Sequence, residues 1–263
     1  MGRIIAVANQ KGGVGKTTTA VNLGAALALA GRRVLLVDMD PQGNMTSGVG
    51  LKGQASPAGT VYHALVQDPG GLAPFVLETA VANLALVPAD RHLTGAEIEL
   101  VSLPERESRL RRLLRPLSYA YDYVIVDCPP SLGLLTLNAL VAADAVLITL
   151  HCEYYALEGL AELVSTLRRV RAALNKDLDI EGVLLTMYDE RTNLAQQVAR
   201  DIRGFFKEKV FTTVIPRNVR LGEAPSHGMP VLTYDPKSRG AEAYLALARE
   251  LQARAAPAPQ IAQ

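Results

Sequence analysis

Between Asn9 and Thr18 the chain reads Asn-Gln-Lys-Gly-Gly-Val-Gly-Lys-Thr-Thr, with three glycines enclosed by two lysines and two hydroxyl side chains behind them. Residue types in this order can hold a polyphosphate. Gly12, Gly13 and Gly15 let the backbone N–H groups of the loop, that of Val14 included, converge on phosphate oxygens. Lys16 is spaced to reach the β- and γ-phosphates, Thr17 offers a hydroxyl to Mg²⁺, and Thr18 closes the loop. The commoner spacing, Gly-x4-Gly-Lys-Ser/Thr, needs a glycine where this chain carries Gln10. A turn that merely joined a strand to a helix would leave the two flanking lysines without a purpose.

Carboxylates follow in two places, Asp38-Met-Asp-Pro-Gln-Gly-Asn44 and Tyr123-Val-Ile-Val-Asp-Cys-Pro-Pro130. Each stands directly after an apolar run, where a parallel sheet ends and ligands bind. Asp127 is expected to hold the Mg²⁺ shell through water. Asp38 is expected to support both loop and metal, and Asp40 to orient or polarise an attacking water. A single Asp after a strand is often a turn cap. Three converging on one edge are not explained that way.

The elements that must position these groups alternate. Apolar runs too short for helices and rich in β-branched residues predict buried strands at 3–8, 33–37, 84–87, 123–126, 145–150, 181–186 and 211–215. Helices are expected at 16–30, 61–66, 105–117, 134–142, 156–174, 194–207 and 239–253, the first closed by Gly31. The stretch from Gly43 to Pro74, rich in Gly and small polar residues, is otherwise expected as loop. Alternation of buried strand and helix implies an α/β fold, a mostly parallel twisted sheet with helices on both faces, and the glycine–lysine loop between its first strand and first helix makes the expectation one of P-loop NTPase type. No linker divides the chain, so residues 1–253 are expected as one domain and 254–263, an Ala/Pro/Gln stretch, as a disordered tail.

With 49% hydrophobic residues, composition excludes a disordered or fibrous chain. Apolar runs such as Leu132 to Ala143 are broken well short of a membrane span. Two cysteines, Cys128 and Cys152, and no leader-like N-terminus point to a reduced, cytoplasmic setting. Both cysteines read as small buried residues, and His63, His92, His151 and His227 lack metal-ligand spacing.

On Lys11 to Thr18, Asp38 to Asn44 and Asp127 to Pro130, the chain resembles the deviant-Walker ATPases, and within them the small chromosomal-type ParA proteins, called Soj in some bacteria. The likeness continues through Ser131–Leu135, Cys152–Gly159, Thr186–Asn193, Ile215–Gly228 and Tyr234–Gly240. It implies ATP and Mg²⁺ as cofactors, slow ATP hydrolysis, and a homodimer closed over two nucleotides. Lys11 then crosses to the phosphates bound by the other subunit, with Gly12 permitting close backbone approach. The same resemblance places Glu153 against the partner's nucleotide and Met187, Pro216 and Asn218 around the adenine. It further implies a ParB/Spo0J-type DNA-binding protein as the stimulating partner and a role in chromosome or plasmid segregation. A MinD-like spatial regulator, a nucleotide-gated scaffold for another cargo and a regulator of replication initiation are the alternatives.

Overall net charge is only +1, yet residues 191–263 carry 11 Lys and Arg against 6 Asp and Glu, while residues 1–190 carry 16 against 20. Arg191, Arg217, Arg220, Lys237 and Arg239 fall in loops and element ends of the basic part. An ordinary solvated surface would explain them equally well on composition. The resemblance assigns positions matching Arg191 and Arg220 to sequence-independent DNA binding, and hence a nucleoid-associated location. With the first strand at Arg3, no helix-turn-helix is expected before it. A tail without a basic amphipathic face implies no membrane docking.

Overall fold

The computed structural model describes residues 2–255. Seven strands form one sheet: β1 (Arg3–Ala8), β2 (Val34–Asp38), β3 (Leu77–Glu78), β4 (Leu84–Val87), β5 (Tyr123–Asp127), β6 (Ala145–His151) and β7 (Asp179–Thr186). Their spatial order is β3-β4-β2-β5-β1-β6-β7. Every neighbouring pair is parallel except β3 with β4. The α/β architecture expected from the alternation is therefore present. The helices are α1 (Lys16–Leu29), α2 (Asn44–Gly48), α3 (Val61–Gln67), α4 (Leu93–Glu99), α5 (Arg109–Leu114), α6 (Leu134–Ala142), α7 (Ala156–Ala173), α8 (Asn193–Phe206), α9 (Val219–Glu223), α10 (Val231–Tyr234) and α11 (Arg239–Ala255).

Strands covered on both sides must be apolar at every position, and β2, β4 and β5 are buried throughout. The pleat then sends Ile4, Ala6 and Ala8 into one core and Ile5 and Val7 into the other. Helix α1 lies between the sheet and α11, which explains why Ala20, Leu23, Ala25 and Leu27 around its circumference are all buried. A Cβ at Gly24 would come within 2.7 Å of Leu36 Cδ2, so glycine there sets how closely α1 sits on β2. Register brings the functional ends together: Asp38 pairs with Asp127 across β2 and β5, and Val7 of β1 pairs with Asp127 on the other side.

Several expectations are corrected. Residues 211–215 do not form a strand. Phe211 and Ile215 donate to Val183 and Leu185 carbonyls of β7, but the Thr212 and Thr213 N–H groups between them donate to the Glu250 carboxylate of α11, at 2.7 and 2.9 Å. A side chain from a distant helix thus interrupts the ladder. The helix expected at 105–117 shrinks to α5, because Glu105 takes a left-handed φ of 50° and the turn around it precedes the first helical residue. Helices α2 and α4 and the two-residue β3 had no counterpart in the sequence reading. The last helix runs to Ala255, past the expected boundary of the tail, whose remaining residues lie outside those described.

Candidate nucleotide site and basic face

The loop after β1 is tied down at both sides. Asn9 Oδ1 accepts the Lys11 N–H at 2.9 Å, and Asn9 Nδ2 donates to the Thr149 carbonyl of β6 at 2.6 Å. Thr186, the last residue of β7, donates its hydroxyl to the Val14 carbonyl at 2.9 Å. Gly15 sits at φ 83°, a left-handed turn that delivers the chain into α1 with its N–H groups facing the loop. Lys16 Nζ curls back to donate to the Lys11 carbonyl at 3.0 Å. Its burial lowers the ammonium pKa, and the nearby Asp127, Cys128 and Asp40 oppose that shift.

The three carboxylates are in different states. Asp38 is fully buried, yet Oδ1 accepts the Asp40 N–H at 3.1 Å and Oδ2 accepts both the Thr46 N–H at 2.9 Å and the Thr46 hydroxyl at 2.7 Å. Burial still pushes its pKa up to about 6 against those hydrogen bonds. Asp40, close to fully buried, holds the Gln42 N–H at 2.9 Å. Asp127 is also fully buried, but neither of its oxygens has a hydrogen-bond partner. Burial first, and the Asp38 carboxylate second, lift its pKa well above the usual range; Thr17 pulls the other way without closing a well-formed hydrogen bond.

A buried carboxylate without a partner is costly unless a cation answers it. Hard oxygen donors at Asp127 and Thr17 fit Mg²⁺, which takes one or two carboxylates and completes its shell with phosphate oxygens and water. Among the described residues no group of three or more His, Cys, Asp or Glu is arranged as a self-sufficient metal cage. The donor set therefore fits a cation that arrives with its phosphate.

A cavity of about 540 Å³ opens in front of these groups, lined by Gly12, Gly13, Gly15, Lys16, Thr17, Thr18 and Asp40, and on its far wall by Met187, Pro216 and Asn218. Phosphate-assigned and adenine-assigned residues, some 200 positions apart in sequence, thus share one space. A Cβ at Gly12 would meet no atom of the chain within 4 Å, and its φ is not left-handed. Nothing inside the chain demands glycine there. Lys11 and Glu153 stand outside this cavity and are ion-paired with each other, while His151 Nδ1 lies 2.5 Å from the other Glu153 oxygen. Asn9, Thr46, Thr186 and Tyr244 were missed as site residues. Tyr244 lines the cavity and bonds Thr19 at 3.1 Å. The position of Thr186 at the carboxyl end of a strand was the available signal; the other contacts are tertiary.

Arg191, Arg217 and Arg239 line a second cavity of about 370 Å³, which shares Pro216 and Arg217 with the first. Arg191 is held by Asp189 through both Nε and NH2, at 2.8 and 2.7 Å. Arg220 is held by Glu223 at 2.8 Å and by Asp235 at 3.2 Å. Lys237 is exposed, and among the described residues it has no ion-pair partner.

An anion-binding loop and an unanswered carboxylate buried beside it, at the carboxyl edge of a parallel sheet, are the working parts of a phosphate-loop nucleoside triphosphatase. A family model described as an AAA domain matches residues 2–180. The chromosome partitioning protein ParA of Myxococcus xanthus is 59% identical over 257 residues, covering 98% of this chain and 90% of its own length. The sporulation initiation inhibitor protein Soj of Bacillus subtilis is 60% identical over 253 residues, covering 96% and 99% respectively. The chain belongs to the ParA/Soj family of chromosome-partitioning ATPases. Among solved structures, the cobyrinic acid a,c-diamide synthase of Mycobacterium smegmatis with bound ADP and magnesium is similar at 40% identity and a TM-score of 0.81, covering 95% of this chain and 93% of its own. No helix among the described residues is long and apolar enough to cross a membrane.

Proposed function

We propose that this chain is a Mg²⁺-ATP-timed DNA clamp of the cytoplasm and nucleoid. ATP occupies the first cavity, with its phosphates on Gly12 to Thr18 and its adenine against Met187, Pro216 and Asn218. Thr17 and Asp127 would hold Mg²⁺, which supplies charge neutralisation at the β- and γ-phosphate oxygens. Asp38, fixed by Thr46, supports that edge, and Asp40 orients the attacking water. Lys16 and Lys11 stabilise charge on the transferring phosphoryl group, Lys11 doing so on the partner's nucleotide. To cross, Lys11 must leave Glu153, which then turns to the partner's nucleotide. The ATP homodimer presents Arg191, Arg217, Arg220, Lys237 and Arg239 to double-stranded DNA without sequence preference. A ParB/Spo0J-type DNA-binding protein stimulates hydrolysis and releases the dimer, driving chromosome or plasmid partition.

The observation that carries this reading is the unpartnered Asp127 carboxylate buried beside Lys16 and Thr17 of the phosphate loop, in a chain about 60% identical to named partition proteins. Binding to random-sequence DNA with ATP, ADP or no nucleotide, at two salt concentrations, tests it on the wild type and Asp40→Ala. ATP-only, salt-sensitive binding that persists in Asp40→Ala is expected. Strong preference for one operator sequence, or no binding in any state, would overturn the DNA part and leave the ATPase.

A further inference from the structure

Two arginines of the basic face are already paired. Arg191 is 85% exposed, yet two of its three nitrogens are bonded to Asp189. The Asp189 carboxyl is held down to about 2 by that fork, with the more distant charge of Arg217 adding to the effect. Arg220 sits between two acids from different elements, Glu223 at the end of α9 and Asp235 just after α10. Glu223 is further fixed by the Tyr234 hydroxyl at 3.4 Å. A DNA phosphate approaching either arginine meets a carboxylate already in place.

The Asp189–Arg191 fork and the Arg220–Glu223 pair lie on the two segments that wall the nucleotide cavity, while Asp235 comes from the segment after α10. Met187 lines that cavity and stands two residues before Asp189, with a left-handed φ of 49° that turns the chain off β7. Such a backbone is disfavoured for a non-glycine residue. Asn218 lines the same cavity, caps α9 by accepting the Arg220 N–H at 2.9 Å, and so sits one turn from Glu223. Tyr188 and Pro216 bridge the two segments to each other.

We propose that Asp189 and the Glu223/Asp235 pair are acid clamps that hold Arg191 and Arg220 away from DNA phosphates in the nucleotide-free chain, and that a nucleotide seated against Met187 and Asn218 loosens them. The proposal rests on the DNA reading above and adds the groups that keep the surface silent. Surface ion pairs of this kind contribute little to stability, so the contacts are cheap to exchange for phosphate.

The test compares wild type, Asp189→Asn, Glu223→Gln and the double variant, with Asp177→Asn as a control that removes one charge at the amino edge of the sheet. Binding to random-sequence double-stranded DNA is titrated without nucleotide, with ADP and with ATP, from low to moderate salt. In the double variant, nucleotide-free affinity is expected to rise on the order of tenfold, with a log–log salt slope steeper by about 0.9 for each arginine released. Affinity with ATP should change far less, so the ATP-to-apo ratio collapses. An equal rise in Asp177→Asn would overturn the clamp in favour of net charge. Wild-type ATP-dependent binding with an unchanged ratio in the double variant would overturn the clamp alone. No binding by any protein in any state would overturn the DNA reading and the clamp with it.

Discussion

At the carboxyl edge of the sheet Asp127 is fully buried with neither oxygen partnered, whereas on the outer face Arg191 is 85% exposed and doubly bonded to Asp189. One region is held by the surrounding fold in a state unfavourable to itself, and a cation with its phosphate relieves it. The other is comfortable as it stands, because water and an adjacent acid answer the charge. Rigid, desolvated groups make the strong and chemically selective site; exposed pairs, which add little to stability, make the reversible one.

The largest expected effect is at the edge. Lys16→Ala should lower ATP turnover by at least ~10²-fold, the usual loss when a buried charge stabiliser is removed, and should abolish nucleotide binding by calorimetry. Retention of ATP affinity would mean that Lys16 only braces the Lys11 carbonyl.

Next comes a stability effect with an unusual sign. Burial lifts Asp38 to about 6 and raises Asp127 well above the ordinary carboxylate range. Above the ordinary carboxylate pKa the unfolded chain is therefore ionised while the fold prefers the proton, so this contribution erodes stability as pH rises from about 4 through 6. For Asp38 the two-unit shift corresponds to about 3 kcal/mol at most. The nucleotide-free melting temperature should fall by several degrees between pH 5 and 7.5 on this account. Asp127→Asn should raise it at pH 7.5 and flatten the slope, while losing Mg²⁺-dependent turnover. A variant that melts below the wild type at pH 7.5 would show that Asp127 is answered within the chain.

The smallest effect completes the contrast. Arg191→Ala removes an exposed side chain and should leave the chemical denaturation midpoint close to that of the wild type, even as DNA binding falls. A larger loss would make its pair with Asp189 structural.

Much of the edge was legible because strand, acid and loop are local signals: an apolar β-branched run ending in Asp can be read at 34–38 and 123–127 without knowing its neighbours. Residues 211–215 carried the same apolar signal and are not a strand, since Glu250 takes two of their N–H groups. The short α4 and β3 gave no periodic signal. The arginines were legible as candidates but their occupancy was not, because Asp235 reaches Arg220 only after α9 and α10 have folded together.

Residue order alone determined the phosphate loop, the acidic strand ends and the alternation that makes a parallel sheet, all of them set within a few residues of backbone. Tertiary structure decided that Asp38 and Asp127 lie side by side, that Thr186 closes on Val14, and that Lys11 rests on Glu153 across 142 residues. The reason is physical: local propensity fixes which groups a segment carries, but which charges are desolvated, answered or left open depends on what the fold packs against them.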